Sequence, residues 1–164
     1  MRVEFRTGWF AGLVLTLTIG LYCVWLWQPH RQIDRHTKNL LHDIEQRNWS
    51  RVADLIGTDY ADQWGNDRAL VLERMRLVLG YSHHLRLKAI DPNRKIDNGG
   101  RVGLWRSRIL IEDDDSGFGA VVKERVNSLT TPFELQWRHI SGKPWDWKLV
   151  RVSNPELEIP AEFD

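Results

Sequence analysis

Apolar residues follow three different patterns along this chain, and each pattern predicts a different element. Gly8 to Trp27 contains no charged residue. At a helical rise of ~1.5 Å per residue, its about 20 residues match a bilayer core of ~30 Å. From Pro29 to Gly80 the spacing becomes helical. Ile33, Thr37, Leu40, Leu41 and Ile44 share one face after a proline suited to a first turn. Ser50 is placed to cap a short helix through Val52, Leu55 and Ile56, with Gly57 as its stop. Asn66 or Asp67 caps a third helix whose stripe is Leu70, Val71, Arg74, Leu77 and Val78, ending at Gly80.

From Tyr81 onward the period is two. In "HHLRLKAI" (83 to 90), His83, Leu85, Leu87 and Ala89 share one face and His84, Arg86 and Lys88 the other. "DPN" and "DNGG" read as turns, with Asn98-Gly99 the stronger hairpin signal. Strands are predicted over 101–112, 120–140 and 144–153, separated by "DDDSGFG" and "SGK". Pro132 interrupts the longest, and since proline cannot donate to a ladder, a bulge, a bend or an edge position is expected there. Helices first and strands second make an α+β chain.

The first apolar run reads as an uncleaved anchor. A cleaved signal has a shorter apolar core followed by small residues, whereas here Trp25-Leu26-Trp27 leads into Gln28-Pro29-His30. Trp9, Trp25 and Trp27 suit the two membrane interfaces. Arg2 and Arg6 on one side balance Arg31, Arg35 and Lys38 on the other, so orientation rests on the short leader, which favours an exported C-terminal domain at a bacterial inner membrane. The organisation expected is a leader over 1–7, a transmembrane helix over 8–27, a helical connector over 28–36 and one domain over 37–164. The one cysteine, Cys23, lies in the anchor, so a disulfide framework is excluded. A net charge of +1 lacks the basic field that nucleic-acid binding requires.

Three helices followed by a curved antiparallel sheet, the stretch "DYADQWGNDRALVLERMR" and the final hairpin "FELQWRHISGKPWDWKLVRVSNPEL" resemble the nuclear transport factor 2-like, or SnoaL-like, family over roughly residues 36 to 158. The resemblance implies a cone-shaped half-barrel closed by helices. It spans dehydratases, isomerases, epoxide hydrolases, ligand binders and membrane-anchored secretion-system subunits, so it does not select a function.

Enzymes of that family place His, Asp, Glu or Tyr in the cone for proton transfer. His83 lies on the apolar face of its strand, and Glu124 interrupts the Val122, Val126 face of another, so a buried histidine–carboxyl pair is one candidate site. Tyr60 and Asp59 lie in the loop that closes the cone and are candidates for positioning a substrate. Equally, His83 fits a hydrogen-bonded core residue and Glu124 a partner for Arg106 or Arg108. Trp64, Trp105, Trp137 and Trp147 are candidates for lining an apolar pocket, and they suit plain core filling as well. No metal site is expected: His83 and His84 point to opposite faces, and "EDDDSGFG" lacks the bidentate Glu of a calcium loop, Lys123 standing at that position. No cofactor motif is present. The sequence therefore favours a non-catalytic cone domain, anchored in the lipid bilayer, that assembles with other membrane proteins or with itself. The alternative is a small dehydratase- or isomerase-type enzyme, or a binder of an apolar ligand.

Overall fold

The computed structural model describes residues 4–80, 84–112 and 118–157. Helix α1 spans Glu4–Leu26. Its Trp9–Leu26 portion is long and apolar enough to cross a membrane, and none of it is buried against the rest of the chain. The hydroxyls of Thr16 and Thr18 bond back to Gly12 O and Val14 O at 2.9 and 2.8 Å. That satisfies the two threonine hydroxyls, which would otherwise resist an apolar solvent. A signal sequence shares these features.

Gln28 is extended (φ −58°, ψ 132°), as the residue before a proline must be. So α1 and helix α2 (Pro29–Glu45) meet at a sharp break over Trp27-Gln28. Side chains fix the corner. Gln32 Nε2 donates to Leu26 O at 2.8 Å, Arg31 lies 3.2 Å over the Trp25 ring, and Trp27 meets Trp145 at 6.5 Å between ring centroids.

Helix α2 buries Ile33, Thr37, Leu40 and Ile44 along one stripe. At its start Asp34 pairs with Arg94, and at its end Glu45 Oε1 accepts from Leu87 N at 2.7 Å. Helix α3 (Trp49–Leu55) follows after Asn48, and Arg68 closes its end by donating to Ala53 O and Ile56 O. Helix α4 (Arg68–Leu79) is capped by Asp67, whose carboxylate accepts from Leu70 N at 2.8 Å.

The sheet is an antiparallel meander in chain order: β1 (Arg86–Asp97), β2 (Val102–Glu112), β3 (Phe133–His139) and β4 (Trp147–Ser153). A 3-10 turn over Asn98–Gly100, with Gly99 and Gly100 at positive φ, closes the first hairpin. The inner face of β2 is Gly103, Trp105, Ser107, Ile109 and Ile111, opposite Trp137, Leu135 and Phe133 of β3. Segment 56–63 runs beside β4, with Gly57, Ala61 and Gln63 N–H groups donating to Leu149, Val150 and Val152, so that edge is covered.

Four local expectations need correction. "DPN" is no turn: Asp91 (φ 50°) is the extra residue of a bulge inside β1, where Ser107 Oγ donates to Ile90 O at 2.7 Å. The inner face of β1 therefore changes from Leu87 and Ala89 to Arg94 and Ile96. Residues 120–127 are not strand but part of helix α5 (Phe118–Asn127); Val122 and Val126, read as alternating, are equally four apart. Asn127 then pairs with Ile111 N and O at 2.8 and 3.0 Å, docking the helix on β2. Asn48 precedes α3 where Ser50 was expected to cap it. Trp145 belongs to the loop before β4 and is exposed. The tip "DDDSGFG" falls largely on 113–117, outside the described residues.

A Cβ on Gly103 would lie 1.9 Å from Ile33 Cδ1. Gly103→Ala is expected to lower stability by about 1–3 kcal/mol, with part regained in the Ile33→Val background, as read by thermal unfolding. His36 donates from Nε2 to Trp145 O at 2.9 Å, and burial holds its pKa below the ordinary histidine value against the opposing pull of that hydrogen bond. The unfolded chain then takes up this proton first as pH falls, so stability drops below about pH 6.5 and is unaffected by His36 above it. Unfolding midpoints between pH 7 and 5 should fall less steeply in His36→Gln than in the parent.

Candidate functional site

The α2 stripe fills the sheet's inner face only at the Gly103 end. Toward Ile109 and Ile111 a cavity of about 320 Å³ remains between the sheet, α2, α4 and α5. Leu40 and Ile44 supply one wall, Val71 and Met75 another, Val122 and Val126 a third, and Leu135 and Leu149 the floor. Polar groups are confined to one side, where Tyr60, Asp62 and Asn66 lie, and to Arg74 on α4.

That polar side is built by "YADQWGNDR" folding on itself. Asp62 Oδ1 accepts from Trp64 N (3.0 Å) and Asn66 N (2.8 Å), while Oδ2 accepts from Asn66 Nδ2 (2.8 Å) and more distantly from Tyr60 OH (3.4 Å). A carboxylate holding four donors is a structural anchor for the turn, with no lone pair left aimed at a substrate proton. Burial, then the neighbouring Asp62 charge and hydrogen bond, raise the Tyr60 pKa well beyond that of an ordinary phenol. Tyr60 thus stays a neutral donor. Trp64 stands beside it, its Nε1 donating to Leu157 O at 2.7 Å, and both Trp64 and Leu157 line the cavity. Asn154, fully buried, holds Leu157 there: its Oδ1 accepts from Glu156 N and Leu157 N, and its Nδ2 donates to Thr131 O at 3.0 Å.

Of the residues expected to do chemistry, only Tyr60 faces this cavity among those described. Glu124 is exposed on α5, because the segment is helical and its Val122 and Val126 face turns inward instead. Asp59 lies outside the cavity, paired with Arg138 at the surface. His83 lies outside the described residues. Of the tryptophans, Trp64 lines the cavity, whereas Trp105, Trp137 and Trp147 pack the opposite end of the core. Trp137 meets His36 of α2 at 5.8 Å between centroids, and Trp147 stacks on His139 at 5.0 Å. Asp62 and Asn154 were not singled out by sequence reasoning, and Asn66 only as a candidate helix cap; the signal available was a cluster of short hydrogen-bonding side chains in a loop before a capped helix. Among the described residues no group of three His, Cys, Asp or Glu is arranged to hold a metal.

The four-stranded antiparallel sheet packed on helices aligns with solved structures called NTF2-like. An NTF2-like protein of unknown function from Pseudomonas putida aligns over 73% of this chain and 80% of its own, with a TM-score of 0.54 and 8% identity. A putative dehydratase from the NTF2-like family of Streptomyces avermitilis aligns over 76% and 93%, with a TM-score of 0.55 and 12% identity. This chain has the nuclear transport factor 2-like cone fold. Bd1075 of Bdellovibrio bacteriovorus aligns over 75% of this chain at a TM-score of 0.56 and 11% identity, and the chain spans only 39% of that protein's length. No family model and no curated protein sequence matches the chain. At such identities the likeness concerns the fold alone.

The cone's polar turn generates a further prediction. Asp62→Ala strands several buried donors and should cost about 3 kcal/mol, whereas Tyr60→Phe, losing one long hydrogen bond, should cost less than about 1 kcal/mol. Urea unfolding followed by tryptophan fluorescence distinguishes the two.

Proposed function

We propose that this protein is a single-pass, membrane-anchored, non-catalytic cone domain that holds an apolar ligand, with the cone on the exported side. The observation that carries the proposal is the composition of the cavity. Its walls are aliphatic apart from Arg74 on α4, its described carboxylate is saturated by the loop's own donors, and its phenol stays neutral. Such a site rewards burial of apolar surface and offers little to move a proton. The length of α1 and the internally bonded threonines support anchoring.

Docking on other membrane proteins, or on a second copy, is a second reading. It is favoured by the outer sheet face, where half-buried Ile90, Leu104 and Leu110 are flanked by exposed Lys88, Arg106 and Arg108. Both uses are compatible, since they engage opposite faces of the sheet.

Native mass spectrometry of the full chain, extracted from membranes and held in amphipol, tests the ligand. The expected result is a bound apolar small molecule that is lost in Val126→Trp, which fills the cavity, while the near-ultraviolet dichroism of the fold persists. A parent protein free of any adduct, or an adduct unaffected by Val126→Trp, would contradict the proposal.

A further inference from the structure

Resting on the anchored reading above, we infer that the loop Ile140–Asp146 is a second membrane contact, seated in the phospholipid headgroup layer of the leaflet from which α1 emerges. Ile140 and Trp145 are 51% and 54% exposed, an unusual position for two large apolar side chains in one short loop. They are not scattered surface residues. Trp145 touches Trp27, the residue immediately after the apolar span, and Trp27 is itself 43% exposed. A loop in ring contact with the end of a spanning helix is held at the level of that leaflet.

The loop is also rigid enough to present these side chains in one direction. Ile140 N donates to Asp146 O (2.9 Å), Asp146 N to Lys143 O (3.0 Å) and Trp147 Nε1 to Pro144 O (3.0 Å). His139 Nε2 donates to Lys143 O (2.7 Å), and Trp145 O accepts both Trp147 N (3.1 Å) and His36 Nε2 (2.9 Å). The loop is therefore pinned to α2 as well as to β3 and β4.

Its chemistry is that of a membrane interface. Indole and isoleucine enter the acyl boundary, and exposed Lys143 and Arg31 remain at the phosphates, Arg31 laid over Trp25. Two attachment points, the span and the loop, fix the cone's tilt where a span alone would leave it free to swivel. The Gly103 end of the sheet then faces the bilayer. Ile111, on the far wall of the cavity, lies eight residues further along β2, about 26 Å along the strand at ~3.3 Å per residue, while the cavity floor reaches back to Leu135 and Leu149.

Spin-label accessibility on the full chain, with Cys23→Ser and reconstituted in nanodiscs of phosphatidylethanolamine and phosphatidylglycerol, tests this. Single nitroxides are placed at Gly142→Cys, where a side chain meets nothing within 4 Å, at Ser128→Cys beside the far end of β2, and at Leu17→Cys in α1. For a loop seated in the headgroup layer, collision with an aqueous nickel chelate is expected to be at least about threefold lower at 142 than at 128. Adding Ile140→Ser and Trp145→Ser should bring the two to the same value. Equal accessibility at 142 and 128 in the parent, with Leu17 protected, would overturn the loop contact and leave the anchor standing. A chelate-accessible Leu17 would overturn both.

Discussion

Ile33 of α2 lies against Gly103 of β2 so closely that a single added methyl would collide with it. Much of the fold depends on that approach. Because α2 begins only two residues after α1 ends, anchoring Ile33 at Gly103 fixes which end of the sheet sits beside the apolar helix. The corner at Gln28-Pro29 sets the direction in which α2 leaves. Packing energy and chain connectivity thus act on the same residues. The helix that starts the core is the one that follows the apolar helix.

The cavity is the other consequence of this arrangement. One helix cannot cover a sheet curled by bulges at Asp91 and Val150: α2 packs tightly at the Gly103 end, and further along its Leu40 and Ile44 form one wall of the remaining space. Helix α4 and helix α5 cover the far half without filling it. Trp105, Trp137 and Trp147 fill the near half, so the aromatic mass of the strands stabilises the end that α2 already occupies. The space left over is bounded by aliphatic residues, with the Asp62 turn as its polar side. Binding at this site would depend on shape and apolar area, since Tyr60, Asp62 and Asn66 are occupied in holding the turn.

Much of the architecture was legible in the sequence because its signals are periodic. The α2 stripe, a cap at Asn66 or Asp67 before α4, the Asn98-Gly99 hairpin and the alternation in "LRLKA" each state their own geometry. The misread parts had two valid periods. Val122 and Val126 fit a strand and a helix equally, and only docking through Asn127 on Ile111 selects the helix, with Glu124 turned outward as a result. "DPN" carries turn residues, yet Ser107 across the ladder accommodates them as a bulge. The candidate site was legible at Tyr60 and Trp64 and not at Asp62 or Asn154. The roles of those two come from contacts with Asn66 and Thr131, which no local pattern encodes.

The central claim is that α1 stays with the cone as its mount. Intact mass of the protein recovered from native membranes, after an alkaline carbonate wash, tests it most directly. The account predicts a chain that still carries residues 8–27 and remains in the pelleted membrane. A chain beginning after Trp27, released into the soluble fraction, would contradict it.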